Sequence, residues 1–241
     1  MKRSYSFEAV QAAFAPVHKQ PGEQRFIANY PYAFPTHTPW FEAEFDAVYQ
    51  GVSDHTTVTA DRCFVLHQMA RQSARLPGLF AECGVYRGGT ALLLARQLVG
   101  PRLHIFDTFT GMPAAADSDP GIHSKGDFGD TSLAAVQALL SDHEVTSHVG
   151  ELPGTLAVLA AQRFAMVHID VDLYETTMAC CAFFYSRMSV GGILIIDDYG
   201  FEPHRDTAGR AVDEFFADKP EVPLYLRSGQ CLIMRLPDLP T

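Results

Sequence analysis

From residue 79 onward, short apolar runs alternate with longer stretches of helical period, and this alternation constrains the fold more than any other feature. LFAECGV (79–85), RLHIFD (102–107), EVTSHV (144–149), FAMVHIDV (164–171) and GGILIID (191–197) read as strands. Between and after them, 89–99, 131–140, 174–188 and 206–217 read as helices, with Asp130 or Thr131 as the N-cap of the second. Strands that are apolar on both faces need cover on both sides, so this order predicts an α/β fold built on a mostly parallel sheet. PLYLR (223–227) and QCLIMRL (230–236), separated by Ser228-Gly229, read as a closing antiparallel hairpin. The expected architecture is therefore a seven-stranded, Rossmann-like sheet with helices on both faces.

Ahead of this region a further helix is expected over 59–74, where Phe64, Val65, Met69 and Ala70 recur at helical spacing. Residues 1–57 read as an N-terminal extension, and residues 58–241 as the main domain. The stretch YPYAFPTHTPWFEAEF (30–45) is rich in proline and aromatic residues and contains the single tryptophan, Trp40. Proline interrupts regular elements, so this segment is expected to be irregular and to serve as a lid, a dimer arm or packing. A homodimer is expected on the strength of that arm.

The net charge is −10 at pH 7, which argues against nucleic acid or an anionic membrane as partner, because phosphate recognition needs a basic face. The five cysteines form no CxxC pair and no metal-ligand spacing, and read as reduced packing groups. No apolar run reaches the roughly 20 residues of a bilayer span. The N-terminal MKRSYSFEAVQAAF lacks the apolar core of a signal peptide. A cytoplasmic location is the resulting expectation.

The densest chemical signal is ECGVYRGGT, between the first strand and its helix. Glycine at 84, 88 and 89 lets the backbone turn sharply and approach a ligand closely. The spacing is GxxxGG, not the GxGxxG of dinucleotide enzymes, and Glu82 precedes the first glycine. A carboxylate there suits the ammonium of an amino-acid-bearing cofactor and repels a pyrophosphate. Asp107, closing the second strand, is placed to accept hydrogen bonds from a ribose diol. The loop GDFGDTS, with Asp130 and Thr131, can flank an adenine or merely cap its helix. Glu82, Gly84, Tyr86, Gly88, Thr90, Asp107, Asp130 and Thr131 are the expected cofactor-binding residues. Together they fit S-adenosylmethionine better than NAD.

Two acidic clusters end later strands: Asp170 and Asp172 in HIDVDLYE, and Asp197 and Asp198 in IIDDYG. Ligands of open α/β sheets collect at the carboxyl ends of strands, so these acids should face the cofactor crevice. Converging carboxylates repel one another unless a cation joins them, and hard oxygen donors suit Mg²⁺, with Mn²⁺ or Ca²⁺ as alternatives. Asp170, Asp197 and Asp198 are the expected metal ligands, whereas Asp172 and Glu175 sit where they can serve a helix N-terminus. Asp170 is also the candidate catalytic base, since a hydroxyl must lose its proton before it attacks a methyl group. His168, within an apolar strand, reads as a satisfied core residue; His123 and His204 lie in loops that could border a substrate.

ECGVYRGGT, FDTFTGMP, GDFGDTS, HIDVDLYE, IIDDYG and RAVDEFF occur in the order seen in the macrocin O-methyltransferase family, which the chain resembles from about Val58 to Arg235. The resemblance implies a class I methyltransferase fold, S-adenosylmethionine and Mg²⁺ as cofactors, and a hydroxyl of a small molecule as acceptor. The family includes bacterial enzymes that methylate deoxysugar hydroxyls on macrolide and aminocoumarin antibiotics. It further implies metal binding by Asp170, Asp197 and Asp198, with Glu82, Gly84, Tyr86 and Asp107 lining the cofactor. No motif matches in the first sixty residues, and VGELPGTL lacks the aspartate expected before its threonine. Rival readings are methylation of a phenol, catechol or polyketide hydroxyl, an NAD-dependent oxidoreductase, and a non-catalytic homologue.

Overall fold

A computed structural model describes residues 38–237, apart from 101, 115, 117, 118 and 120–122. The first half of the aromatic segment (30–37), on which the lid and dimer readings partly rest, lies outside the described residues. A compact unit begins at Trp40. Within it Phe45, on helix α1 (Ala43–Gln50), and Val52 join the buried core, and Trp40 packs on Phe64 with ring centroids 6.4 Å apart.

The seven strands are β1 (Leu79–Cys83), β2 (Leu103–Asp107), β3 (Val145–Val149), β4 (Phe164–Ile169), β5 (Met188–Ile196), β6 (Leu224–Tyr225) and β7 (Cys231–Met234). The helices after α1 are α2 (Ala60–Ser73), α3 (Gly89–Ala95), α4 (Leu133–Leu139), α5 (Tyr174–Tyr185) and α6 (Arg210–Phe216). The sheet order is β3-β2-β1-β4-β5-β7-β6, with β1 to β5 parallel and β7 antiparallel to both β5 and β6. Every expected strand and helix is present, and the closing hairpin turns at Ser228-Gly229.

The continuous apolar runs are explained by the two faces they serve. Along β5, Ile193 and Ile195 belong to the core on one face, while Leu194 and Ile196 belong to the core on the other. The first core is closed by Leu66 of α2 and Leu93 of α3, and the second by Phe184 of α5 and Val212 of α6. Side chains alternate across a strand, so a sheet covered on both sides needs apolar residues at every position. All five cysteines are free and buried, as packing groups.

Two local expectations are corrected. The N-cap of α4 is Ser132, whose Oγ accepts from the Ala135 amide at 3.2 Å. Asp130 is instead ion-paired with Arg87, and the Thr131 hydroxyl donates to the Tyr86 carbonyl, so neither is free to cap. The helix expected over 206–217 opens as a π turn, Arg205–Gly209, before α6 proceeds. The wider turn follows the Glu202–His204 3-10 turn and delivers the chain from the end of β5 onto α5.

The strand order reverses between β1 and β4, so helices leave their carboxyl ends in opposite directions and a crevice opens there. Gly84 makes that crevice: it has φ +82°, and a Cβ on it would run into the Asp170 carbonyl oxygen. We expect Gly84→Ala to cost about 3 kcal/mol from overpacking plus backbone strain. Gly126→Ala, at φ +92° but with open space around its Cβ position, should cost only about 1 kcal/mol. Urea denaturation midpoints of the two variants check this; equal losses would show that the Gly84–Asp170 approach is not what constrains the turn.

Candidate functional site

A cleft of about 270 Å³ lies over the carboxyl ends of β1, β4 and β5. Backbone bonds extend the ladder past the strands to build its floor: Gly84 N–H to Phe106 O (3.0 Å), Asp170 N–H to Cys83 O (2.8 Å) and Asp197 N–H to Ile169 O (2.9 Å). One end of the cleft is the glycine turn and the other is acidic.

At the glycine end, Gly84, Tyr86, Thr90 and Asp107 all line the cleft. Asp107 holds the turn closed: its Oδ2 accepts from the amides of Val85 (2.7 Å) and Tyr86 (3.0 Å), and its Oδ1 from that of Phe109 (2.7 Å). Tyr86 is held at φ +51° by these bonds, by Thr131 on its carbonyl and by Asp130 on its hydroxyl at 3.1 Å. Asp130, Thr131 and Gly88 are therefore behind the lining and support it. Glu82 is also behind it, fully buried, with Oε1 bonded to His168 and Oε2 lacking any hydrogen-bond partner.

Behind the acidic end runs a buried ionic chain. His168 donates from Nδ1 to Glu82 Oε1 (2.9 Å) and from Nε2 to Asp197 Oδ1 (3.3 Å). Burial alone would lower the imidazole pKa, but the bonds and charges of Asp197 and Glu82 reverse this and push it up to about 10. Asp197 also accepts from Gln230 Nε2 at 2.7 Å and is ion-paired with Arg62. Burial favours its neutral form, yet His168, Arg62 and Gln230 hold its pKa below the usual carboxylate range. His168 is thus a satisfied core residue, as its apolar strand implied.

In front of this chain stand Asp170, Asp172 and Asp198, with one oxygen from each within 4.8 Å of the others, and all three line the cleft. Burial, followed by the neighbouring carboxylates, holds the Asp170 and Asp172 carboxyls well above their usual range. Of the expected metal set, Asp170 and Asp198 are exposed to the cleft and Asp197 is not among its lining residues. Asp172, expected to serve a helix N-terminus, takes the third position, turned inward by a φ of +61°. His168, Asp170 and Asp197 form a second, deeper group of donors.

Sequence reasoning missed Arg62. It projects from α2, 3.7 Å from Asp198 Oδ1 and with its guanidinium 5.1 Å from the Phe201 ring centroid. A signal was available: Arg62, Leu66 and Ala70 share one face of α2, and the latter two are fully buried. An arginine on a buried stripe needs an internal partner.

Residues 48–222 match the model of the macrocin-O-methyltransferase family. The chain belongs to that family. It is 31% identical over 165 residues to mycinamicin III 3''-O-methyltransferase of Micromonospora griseorubida, covering 60% of this chain and 65% of that one. It is also 31% identical over 147 residues to 8-demethyl-8-(2,3-dimethoxy-alpha-L-rhamnosyl)-tetracenomycin-C 4'-O-methyltransferase of Streptomyces olivaceus, covering 54% and 56%. The chain thus spans about three-fifths of the length of these curated relatives. The solved structure of the O-methyltransferase NovP superimposes with a TM-score of 0.67 at 25% identity, over 76% of this chain and 83% of that one. The class I methyltransferase architecture expected from the strand pattern is the one observed. Among the described residues no helix is long and apolar enough to cross a membrane.

The two adjacent acids that follow β5 should separate experimentally. Asp197→Ala removes the buried carboxylate that His168 and Arg62 share, leaving them only Glu82 and Asp198 respectively, and should cost about 3–5 kcal/mol. Asp198→Ala should cost no more than about 1 kcal/mol while removing a donor from the cleft. Chemical denaturation of both variants checks the contrast, and comparable losses would remove the structural role assigned to Asp197.

Proposed function

We propose that this protein transfers a methyl group from S-adenosylmethionine to a hydroxyl of a sugar on a glycosylated natural product, with a divalent cation, Mg²⁺ by preference, at the acidic end of the cleft. The observation that carries this reading is the convergence of Asp170, Asp172 and Asp198 in the same crevice as the glycine turn. Both curated relatives carry sugar-hydroxyl O-methyltransferase names, one for a 3'' and one for a 4' position.

The residues present fit both cofactors. Glu82, directly behind the turn with Oε2 lacking a hydrogen-bond partner, adds a carboxylate on the side where a cofactor ammonium would sit. Gly84, Tyr86, Thr90 and Asp107 offer backbone and side-chain groups along the same wall. Asp170, Asp172 and Asp198 are hard oxygen donors, two of them favouring protonation unless a cation joins them. When bound, S-adenosylmethionine supplies an electrophilic methyl group, and a divalent cation lowers the pKa of a nearby hydroxyl.

The chain's own groups supply the rest. Asp170, at the centre of the acidic end, accepts the acceptor's hydroxyl proton. Arg62 neutralises part of the cluster and holds Asp198 in place. The braced glycine turn fixes one reactant while the acids orient the other, and this in-line positioning is the main contribution a protein makes to such a displacement.

The first experiment is calorimetric titration of chelator-treated protein with S-adenosylhomocysteine and then Mg²⁺, followed by turnover on a deoxysugar glycoside and on a catechol. Binding of both ligands and metal-dependent methylation of the glycoside are expected. Asp170→Asn should retain nucleoside binding and lose turnover by about 10²-fold or more. Turnover on catechol alone would move the acceptor to the phenolic class, and failure to bind the nucleoside would overturn the methyltransferase reading itself.

A further inference from the structure

Beside the carboxylates the cleft holds a second, different set of donors. His123 comes from the loop after β2, and His204 ends the 3-10 turn Glu202–His204 after β5. Nε2 of His123 and Nδ1 of His204 each stand 3.6 Å from the same atom, Oδ1 of Asp172. The two rings are tilted by 31° with centroids 5.3 Å apart, and one donor atom from each of the three residues lies within 4.8 Å of the others. Both nitrogens are buried, and neither has a hydrogen-bond partner.

That combination is costly unless something lies between the groups. A buried ring nitrogen left unpaired forfeits its hydration, and 3.6 Å exceeds a hydrogen bond. It is close to the spacing of two ligands on one ion, since metal bonds of about 2.1 Å set neighbouring donors about 3.0–3.4 Å apart. We propose that His123, Asp172 and His204 form a separate cation site that takes a first-row transition-metal ion such as Zn²⁺ or Co²⁺. Two imidazoles and one carboxylate suit these borderline ions, whereas Mg²⁺ prefers all-oxygen sites such as the neighbouring aspartates. With three protein ligands the ion retains positions for water or an acceptor oxygen. Asp172 belongs to both donor groups, so the two cations would share it.

The test uses full-length, chelator-treated protein titrated with Co²⁺ under excess Mg²⁺, read by visible absorption. Expected is a saturable Co²⁺ spectrum that Mg²⁺ does not displace. His123→Ala and His204→Ala should each weaken Co²⁺ binding by at least about tenfold and leave calorimetric Mg²⁺ binding in place. Circular dichroism and S-adenosylhomocysteine binding verify that the variants are folded; His123→Gln and His204→Gln, which keep more side-chain volume, replace any that are not. Absence of a Co²⁺ spectrum, displacement by Mg²⁺, or wild-type Co²⁺ affinity in both variants would overturn the site. None of these outcomes bears on nucleoside binding, so this site and the methyl-transfer reading fail independently.

Discussion

A histidine held between two carboxylates in a fully buried position is the constraint on which the working end of this protein depends. Glu82 on β1, His168 on β4 and Asp197 beyond β5 are each completely buried, and unpaired charges there would cost several kcal/mol apiece. Paired, they lock three neighbouring strand ends in register. Gln230 of the hairpin and Arg62 of α2 join the same carboxylate, so the chain of contacts crosses from the sheet to its edge and to the covering helix. The crevice is the surface left in front of that assembly: Gly84, Asp170 and Asp198 follow the strands it fixes.

The assembly also divides labour between adjacent acids. Asp197 and Asp198 open the turn that follows β5, and of the two only Asp198 lines the crevice. Asp197 turns inward to His168 and Arg62, and Asp198 turns outward to the cleft. Asp172 lies past the end of β4, where the chain bends through a positive φ. This returns its carboxylate to the group formed by Asp170 and Asp198. A cluster that in sequence is two separate pairs thus becomes one acid behind the wall and three in front of it.

Much of this was legible. Alternation of apolar runs and helical period follows from burial on two faces, and it located every strand and every helix after α1 to within a few residues. The glycine turn was legible because Gly84 meets a close backbone approach that no other residue tolerates. Boundaries were less so: β5 begins at Met188, ahead of its glycine pair, because Met188 pairs with Phe164 of β4. Asp130 and Thr131 read as caps or cofactor contacts; Ser132 takes the cap, and both of them bond Tyr86. Their contact with Tyr86, more than forty positions away, is not legible in the local sequence.

The sequence by itself determined the α/β class, the glycine turn and the presence of acids at the ends of the strands. Those depend on side-chain type and on periods of two and 3.6 residues, which are local. The tertiary structure decided which acids are free, that Arg62 is their internal counter-charge, and that His123 and His204 meet over Asp172. Arg62 and Asp197 are 135 residues apart, and their meeting is set by sheet order and by which helix covers which face. Burial then makes the choice binding, because a charge removed from water must take whatever partner the fold brings to it.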